Sequence, residues 1–150
     1  MGTPTLSQMR AEVIEKFINL ETIINAIICQ HYFKRVYKQF FLEVLYNEHC
    51  TFGLKRSILE KIIPNLDKTQ LQNLNRLNTI RNYFAHTGPE MFEGAEIPSK
   101  GQQGVVPDPR KMAKALDYSQ LHQEFQKLEP TVARYLFKLY QELGGEYVKG

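Results

Sequence analysis

Apolar residues recur in this chain at steps of three and four through five separate stretches, and no stretch of β-branched residues alternates with period two. A pattern of that kind buries its hydrophobic surface only as helices packed on helices. The first stretch is the longest. Thr5 with Gln8 three residues on forms a capping box, in which hydroxyl and amide satisfy each other's orphan backbone donors. Val13, Phe17, Leu20, Ile24 and Ile27 then make a stripe that Ile14, Ile18, Ile23 and Ile28 widen beyond what one neighbouring helix covers. This helix is expected to be central or to lie at a subunit interface.

The second helix is expected over Tyr32 to Tyr46, with Phe33, Val36, Phe40 and Val44 beside Tyr37, Phe41 and Leu45. Aromatic residues at this spacing are read as core rather than as a ligand platform. Thr51 caps a third helix carrying Leu54, Ile58, Leu59, Ile62 and Ile63, and Pro64 stops it. Asp67 with Gln70 opens a fourth, whose stripe is Leu71, Leu74, Leu77, Ile80 and Phe84 and which ends near His86. The segment 87–109 holds four Gly and four Pro and few large apolar residues, so it reads as a long exposed loop. Asp108 and Pro109 suit a helix start, and Asp117 with Gln120 begins or continues a last helix striped by Leu121, Phe125, Leu128, Val132, Leu136, Leu139 and Leu143. Pro130 is expected to kink that helix and Gly144 and Gly145 to end it. The expected architecture is all-α, a single-domain bundle of about five helices with one long Gly/Pro-rich loop.

Composition narrows the function classes. The chain has 150 residues, 43% of them hydrophobic and 23% charged, in the ordinary range for one globular domain. Cys29 and Cys50 are two thiols without a disulfide framework, residues 1–10 lack a basic segment leading an apolar run, and no stretch is long enough to span a membrane. A cytoplasmic setting without membrane association is expected. The net charge of +3 is too small to announce a nucleic-acid binder by itself. Three basic groups stand out: Lys34, Arg35 and Lys38; Lys55, Arg56 and Lys61; and Arg110, Lys111 and Lys114. Such groups are ordinarily solvated helix faces.

The concentrated chemistry is one helix turn, Arg81-Asn82-Tyr83-Phe84-Ala85-His86. At about 100° per residue, with Arg81 at zero, Asn82 falls near 100° and His86 near 140°, while Leu77, Phe84 and Ile80 fall between about -40° and -100°. The polar trio therefore borders the buried stripe, and Asn82 is within reach of His86 one turn on. A guanidinium can hold phosphate oxygens bidentately, and an imidazole can move a proton near neutral pH. Together they suit a phosphodiester, with no metal or other cofactor called for.

Other clusters are weaker. Cys29, His31, His49 and Cys50 suggest zinc, but Cys29 and His31 stand about 200° apart on a helix and cannot share an ion there. His122, beside Leu121, is expected at the surface. There is no Gly-rich phosphate loop, no paired catalytic carboxylates and no Ser or Cys nucleophile in a recognisable setting.

The stretch from Leu77 to His86, late in a helix that follows other long helices, resembles the signature of the HEPN superfamily: Arg, a polar residue, three more residues, then His. The resemblance implies a helical bundle that dimerises with the motif helices facing each other. It also implies metal-independent RNase chemistry of the kind found in toxin, phage-defence and RNA-processing systems. On that reading His86 deprotonates the ribose 2′-hydroxyl or protonates the leaving oxygen, Arg81 stabilises the phosphate, and Asn82 orients one of them. The partners implied are a second copy of the chain, RNA, and an antitoxin or regulatory protein. One branch of that superfamily carries a tyrosine two residues after the histidine, modified by a nucleotidyltransferase; position 88 here is glycine, which argues against that pairing. The same stretch, Ile-Arg-Asn, one residue, Phe-Ala-His, also resembles the mannitol operon repressor family, and this implies instead a non-enzymatic regulatory or protein-interaction module. A third alternative is that Arg81 and His86 simply complement the helix C-terminal dipole.

Overall fold

The capping box forms as the sequence requires: the Gln8 amide nitrogen donates to Thr5 Oγ1 at 3.1 Å and the Thr5 nitrogen donates to Gln8 Oε1 at 2.8 Å. From this start helix α1 runs over Leu6–Phe33 in the computed structural model, which describes residues 3–86 and 117–144. Removing the Thr5 hydroxyl should destabilise the protein by about 1 kcal/mol, readable as a shift in a urea unfolding curve. Val13, Phe17, Leu20, Ile24, Ile27 and Ile28 are all buried, and α1 touches every other long helix of the described chain, so it is the central helix.

The second stretch departs from expectation. Instead of one helix from Tyr32 to Tyr46, α1 continues to Phe33 and stops at Lys34, which takes a left-handed conformation with φ 63°. A short helix α2, Lys38–Phe40, then passes into a π-helical turn, Phe41–Leu45. The aromatic stripe is therefore not core: Tyr32, Phe33, Val36 and Val44 are exposed, Tyr37, Phe40 and Phe41 are half-buried, and only Leu45 is enclosed. The cause is loss of phase. The left-handed residue changes the chain direction, and the π turn adds a residue, so rows aligned at 100° per residue no longer share a face. The rings cover one another instead, with the Phe33 centroid 5.0 Å from that of Phe40 and 5.3 Å from that of Tyr37.

Helix α3, Phe52–Ile62, starts at Thr51, whose hydroxyl accepts from the Leu54 nitrogen at 3.2 Å. It ends where Ile63 turns extended ahead of Pro64, as the proline ring demands. Leu59 and Ile63 of the expected stripe are buried and Ile58 and Ile62 pack against the core, whereas Leu54 is exposed and Phe52 and Lys55 point in instead. Helix α4, Lys68–Ala85, is capped by Asp67, and Leu74, Leu77, Ile80 and Phe84 are buried. The Asp67 nitrogen donates to the Tyr135 hydroxyl at 2.7 Å. Helix α5, Tyr118–Glu142, begins at the Asp117 cap and passes through Pro130, whose ring lies on the exposed side. Gly144, at φ 94°, follows its end.

These five helices, with no strand among the described residues, form the all-α bundle. No described helix is long and apolar enough to cross a membrane. The expected loop 87–109, the Asp108 start, the third basic group and Gly145 lie outside the described residues.

Polar contacts then fix how the helices meet. Arg76 on α4 grips Glu124 on α5 through two hydrogen bonds of 2.7 and 2.9 Å. Glu12 on α1 meets His122 at 2.9 Å and accepts from Gln126 at 3.1 Å. The Arg76 hydrogen bonds lower the Glu124 pKa against the opposing effect of burial. Burial alone would raise Glu12, but the bonds from His122 and Gln126 outweigh it and lower the value. Both carboxylates therefore contribute stability that is fully present above their ordinary value of 4.5 and is lost as the pH falls through the lowered folded values. Thermal melts taken at descending pH should show this loss, and Glu124→Gln should shrink it. A midpoint that stays level down to strong acid would contradict the assignment.

Candidate functional site

The buried stripe of α4, with Leu74 included, centres about 45° from Arg81 and nearly opposite His86 by the helical geometry of about 100° per residue, so of the trio expected to border the stripe only Arg81 does. Burial follows that order: Arg81 and Asn82 are half-buried and His86 is exposed. Arg81 leans over α1, its Cζ 4.6 Å from the centre of the Phe17 ring. Its Nη2 donates to Asn78 Oδ1 at 2.7 Å, while its Nε is buried and has no partner. His86 closes the helix, its nitrogen donating to the Asn82 carbonyl at 3.0 Å. Among the described residues no side-chain hydrogen bond joins Asn82 to His86. Among the described residues of one chain the three predicted residues thus share a helix end, and only Arg81 of the three lines the described cleft.

Arg81 instead helps to line an open cleft of about 410 Å³ between α1, the π turn, the start of α3, and α4. Lys55 and Asn25 line it too. Lys55 is only 4% exposed and lies 3.7 Å from Glu21. This corrects the reading of Lys55 and Arg56 as part of a solvated face, since Arg56 is also half-buried and donates to Asn75 Oδ1 at 3.1 Å, while Lys61 is exposed as expected. Asn25 is 1% exposed, and neither its amide nitrogen nor its amide oxygen has a hydrogen-bond partner. Buried polar groups are nearly always paired, so an amide orphaned at both atoms calls for an explanation. The exposed Ile18 and Tyr46 stand at the cleft as apolar wall residues.

Sequence reasoning missed Asn25 and Arg10, and it placed Lys55 on a solvated face. Arg10 Nε donates to the Phe84 carbonyl at 2.9 Å and so satisfies the last turn of the motif helix from α1. A signal existed for Asn25: Ile18, Glu21 and Asn25 follow one another at steps of three and four, a lane running beside the apolar stripe.

His122 is another correction, since it is buried at 5% exposure and bonded to Glu12 rather than at the surface. Helix α5 packs against both α1 and α4, so its inward face is wide enough to include it. Cys29 is buried and Cys50 half-buried, both as free thiols. Burial raises the Cys29 pKa, partly opposed by a backbone hydrogen bond at Tyr37. No group of three His, Cys, Asp or Glu side chains among the described residues is placed to hold a metal ion. Compared with family models, with curated proteins and with solved structures, the chain matches none, and the reading of its site rests on its own residues.

Proposed function

We propose that this protein is a HEPN-type endoribonuclease that needs no metal ion and works as a homodimer with a composite site of Arg81, Asn82 and His86. The observation that carries the reading is Arg81: a guanidinium steadied by Phe17 and Asn78, with a buried Nε still unpartnered beside an open cleft. Such a group is prepared for a phosphate oxygen. His86 stands exposed one turn further on, free to transfer protons.

The divergence of the two side chains on one helix argues for two chains. With about 140° between them, Arg81 and His86 of one protomer do not close on the same phosphate, whereas motif helices facing each other bring the histidine of one to the arginine of the other. In the reaction the ribose 2′-oxygen attacks phosphorus, its proton passing to an imidazole. The P–O5′ bond breaks and the leaving oxygen takes up a proton, giving a cyclic phosphate and a free 5′-hydroxyl. Arg81 offsets the charge that builds on the phosphoryl oxygens.

The test is cleavage of a mixed-sequence RNA in EDTA, with sedimentation of the same protein at micromolar concentration. Cutting by a dimer supports the proposal, and a monomer at that concentration overturns the composite site. A toxin or defence role is the biological setting that such an activity fits.

A second reading, a regulatory or interaction module, is favoured by the exposed Tyr32, Phe33, Val36, Leu42, Val44 and Tyr46. Grouped exposed apolar residues of this kind mark protein-interaction surfaces. It takes precedence if RNA stays intact while the folded domain retains a specific protein or operator DNA.

A further inference from the structure

We propose that the cleft beside Arg81 receives a single unstacked RNA base, read by the amide of Asn25, with the adjoining phosphate on Arg81. The inference rests on the reading of this protein as one that acts on RNA, and it assigns base selectivity to residues outside the Arg81–His86 turn.

Asn25 carries the argument. Its planar amide carries a donor and an acceptor side by side, both buried and both without a hydrogen-bond partner, on a residue that lines the cleft. The complementary ligand must offer an acceptor next to a donor in one plane. Nucleobase edges do so, and asparagine pairs bidentately with such an edge when it reads adenine in a nucleic-acid groove. RNA is recognised in the same style, through unstacked bases held against aromatic side chains and bonded along their edges. Phe52 and Tyr46 furnish aromatic walls here, and the volume of about 410 Å³ lies within the range of small-ligand pockets.

Charge sets which end of the nucleotide goes where. Inside the cleft the Lys55 ammonium is offset by the Glu21 carboxylate at 3.7 Å. Glu48, at the rim, is almost fully exposed and screened by water. Among the described lining residues the cation without a carboxylate partner is Arg81, whose Nε is buried and unpartnered. A neutral body therefore suits the interior and one anionic group suits Arg81, which is the charge layout of a nucleotide within a strand. A dianion buried against Lys55 would instead have to displace Glu21.

The experiment measures binding of AMP, GMP, CMP, UMP and inorganic phosphate to the full chain in EDTA, by calorimetry or by amide chemical shifts, with no RNA present. At least one nucleotide should bind about tenfold or more tighter than phosphate, and the four should differ among themselves. Asn25→Leu keeps the branching and number of heavy atoms of the side chain but removes both hydrogen-bonding atoms. It should abolish the differences among bases while its melting temperature does not fall. Asn25→Asp, which keeps an acceptor and loses the donor, should reorder the four and serves if the leucine variant does not fold. Arg81→Met should weaken nucleotides and phosphate alike.

Equal binding of phosphate and all four nucleotides overturns the proposal, as does an unchanged base preference in Asn25→Leu. No nucleotide binding at millimolar concentration also overturns it. Because the readout is binding without cleavage, its outcome is separable from that of the nuclease reading. Base preference without RNA cleavage leaves the pocket standing and the enzyme refuted, and cleavage without base preference does the reverse.

Discussion

His86→Ala is expected to lower RNA cleavage by about 10² to 10⁴-fold, the usual loss when a general acid or base is removed. The variant is clean because of where the residue sits. His86 is exposed at the helix end, and its structural contribution is a backbone bond to the Asn82 carbonyl that alanine keeps. Its stability should stay within about 0.5 kcal/mol of the parent, as for ordinary surface substitutions. The two measurements belong together. Lost cleavage with an unchanged melting curve assigns the proton transfer to His86. Equal cleavage by variant and parent points to a contaminating nuclease, and no cleavage by either places the interaction-module reading first.

Phe17→Ala is expected to be the most destabilising single change in α1, at about 3–5 kcal/mol, the range for emptying a phenylalanine site in a core. Phe17 is fully buried, and its ring lies 5.2 Å from that of Phe52 and beneath the Arg81 guanidinium at 4.6 Å. The cavity would open between α1, α3 and α4 at once. Denaturant unfolding measures the effect, and a loss under about 1 kcal/mol would mean that the ring is not where the three helices meet. Phe17→Leu separates the two roles, because leucine refills much of the space but offers no π face to Arg81. It should cost less stability and still lose the cushion, which contributes about 0.5–1 kcal/mol at a partly exposed cation. If Arg81 needs that cushion to hold a phosphate, Phe17→Leu should cut RNA more slowly while remaining folded.

The parts of this molecule that could be read from sequence are those decided within a few residues. The caps at Thr5, Thr51, Asp67 and Asp117 all form because a side chain and a backbone donor three positions on meet without help from elsewhere. The α1 stripe was equally readable, since a central helix is buried over a wide arc. The Tyr32–Tyr46 segment was not. Apolar spacing reports which rows an α-helix would have, and it is blind to a left-handed Lys34 or to a π turn, both of which change phase between one row and the next. Lys55 and His122 were misread for a different reason. Each is buried because of a carboxylate far away in sequence, Glu21 for one and Glu12 for the other, and a basic residue next to apolar neighbours carries no mark of such a partner. At the candidate site the residues Arg81, Asn82 and His86 could be picked out by their spacing. Their directions could not, because these depend on where the core centre falls around α4, and a difference of one row decides whether a side chain enters a cleft or stands in water.

The π turn at Phe41–Leu45 gives the chain an unusual lever on its own evolution. Tyr46 follows directly and is tied to α1 through a hydroxyl contact with Thr22 at 3.2 Å, at the wall of the Arg81 cleft. Losing one residue from the wide turn would restore ordinary helical winding and swing the following side chain by about 100°. One codon lost at this place would reshape the cleft wall and shift the packing of Leu45 on α1, at a site apart from the contacts that α4 and α5 make with each other. Length variation here, more than substitution in the motif helix, is the shortest mutational route by which relatives of this protein would diverge in what they hold beside Arg81.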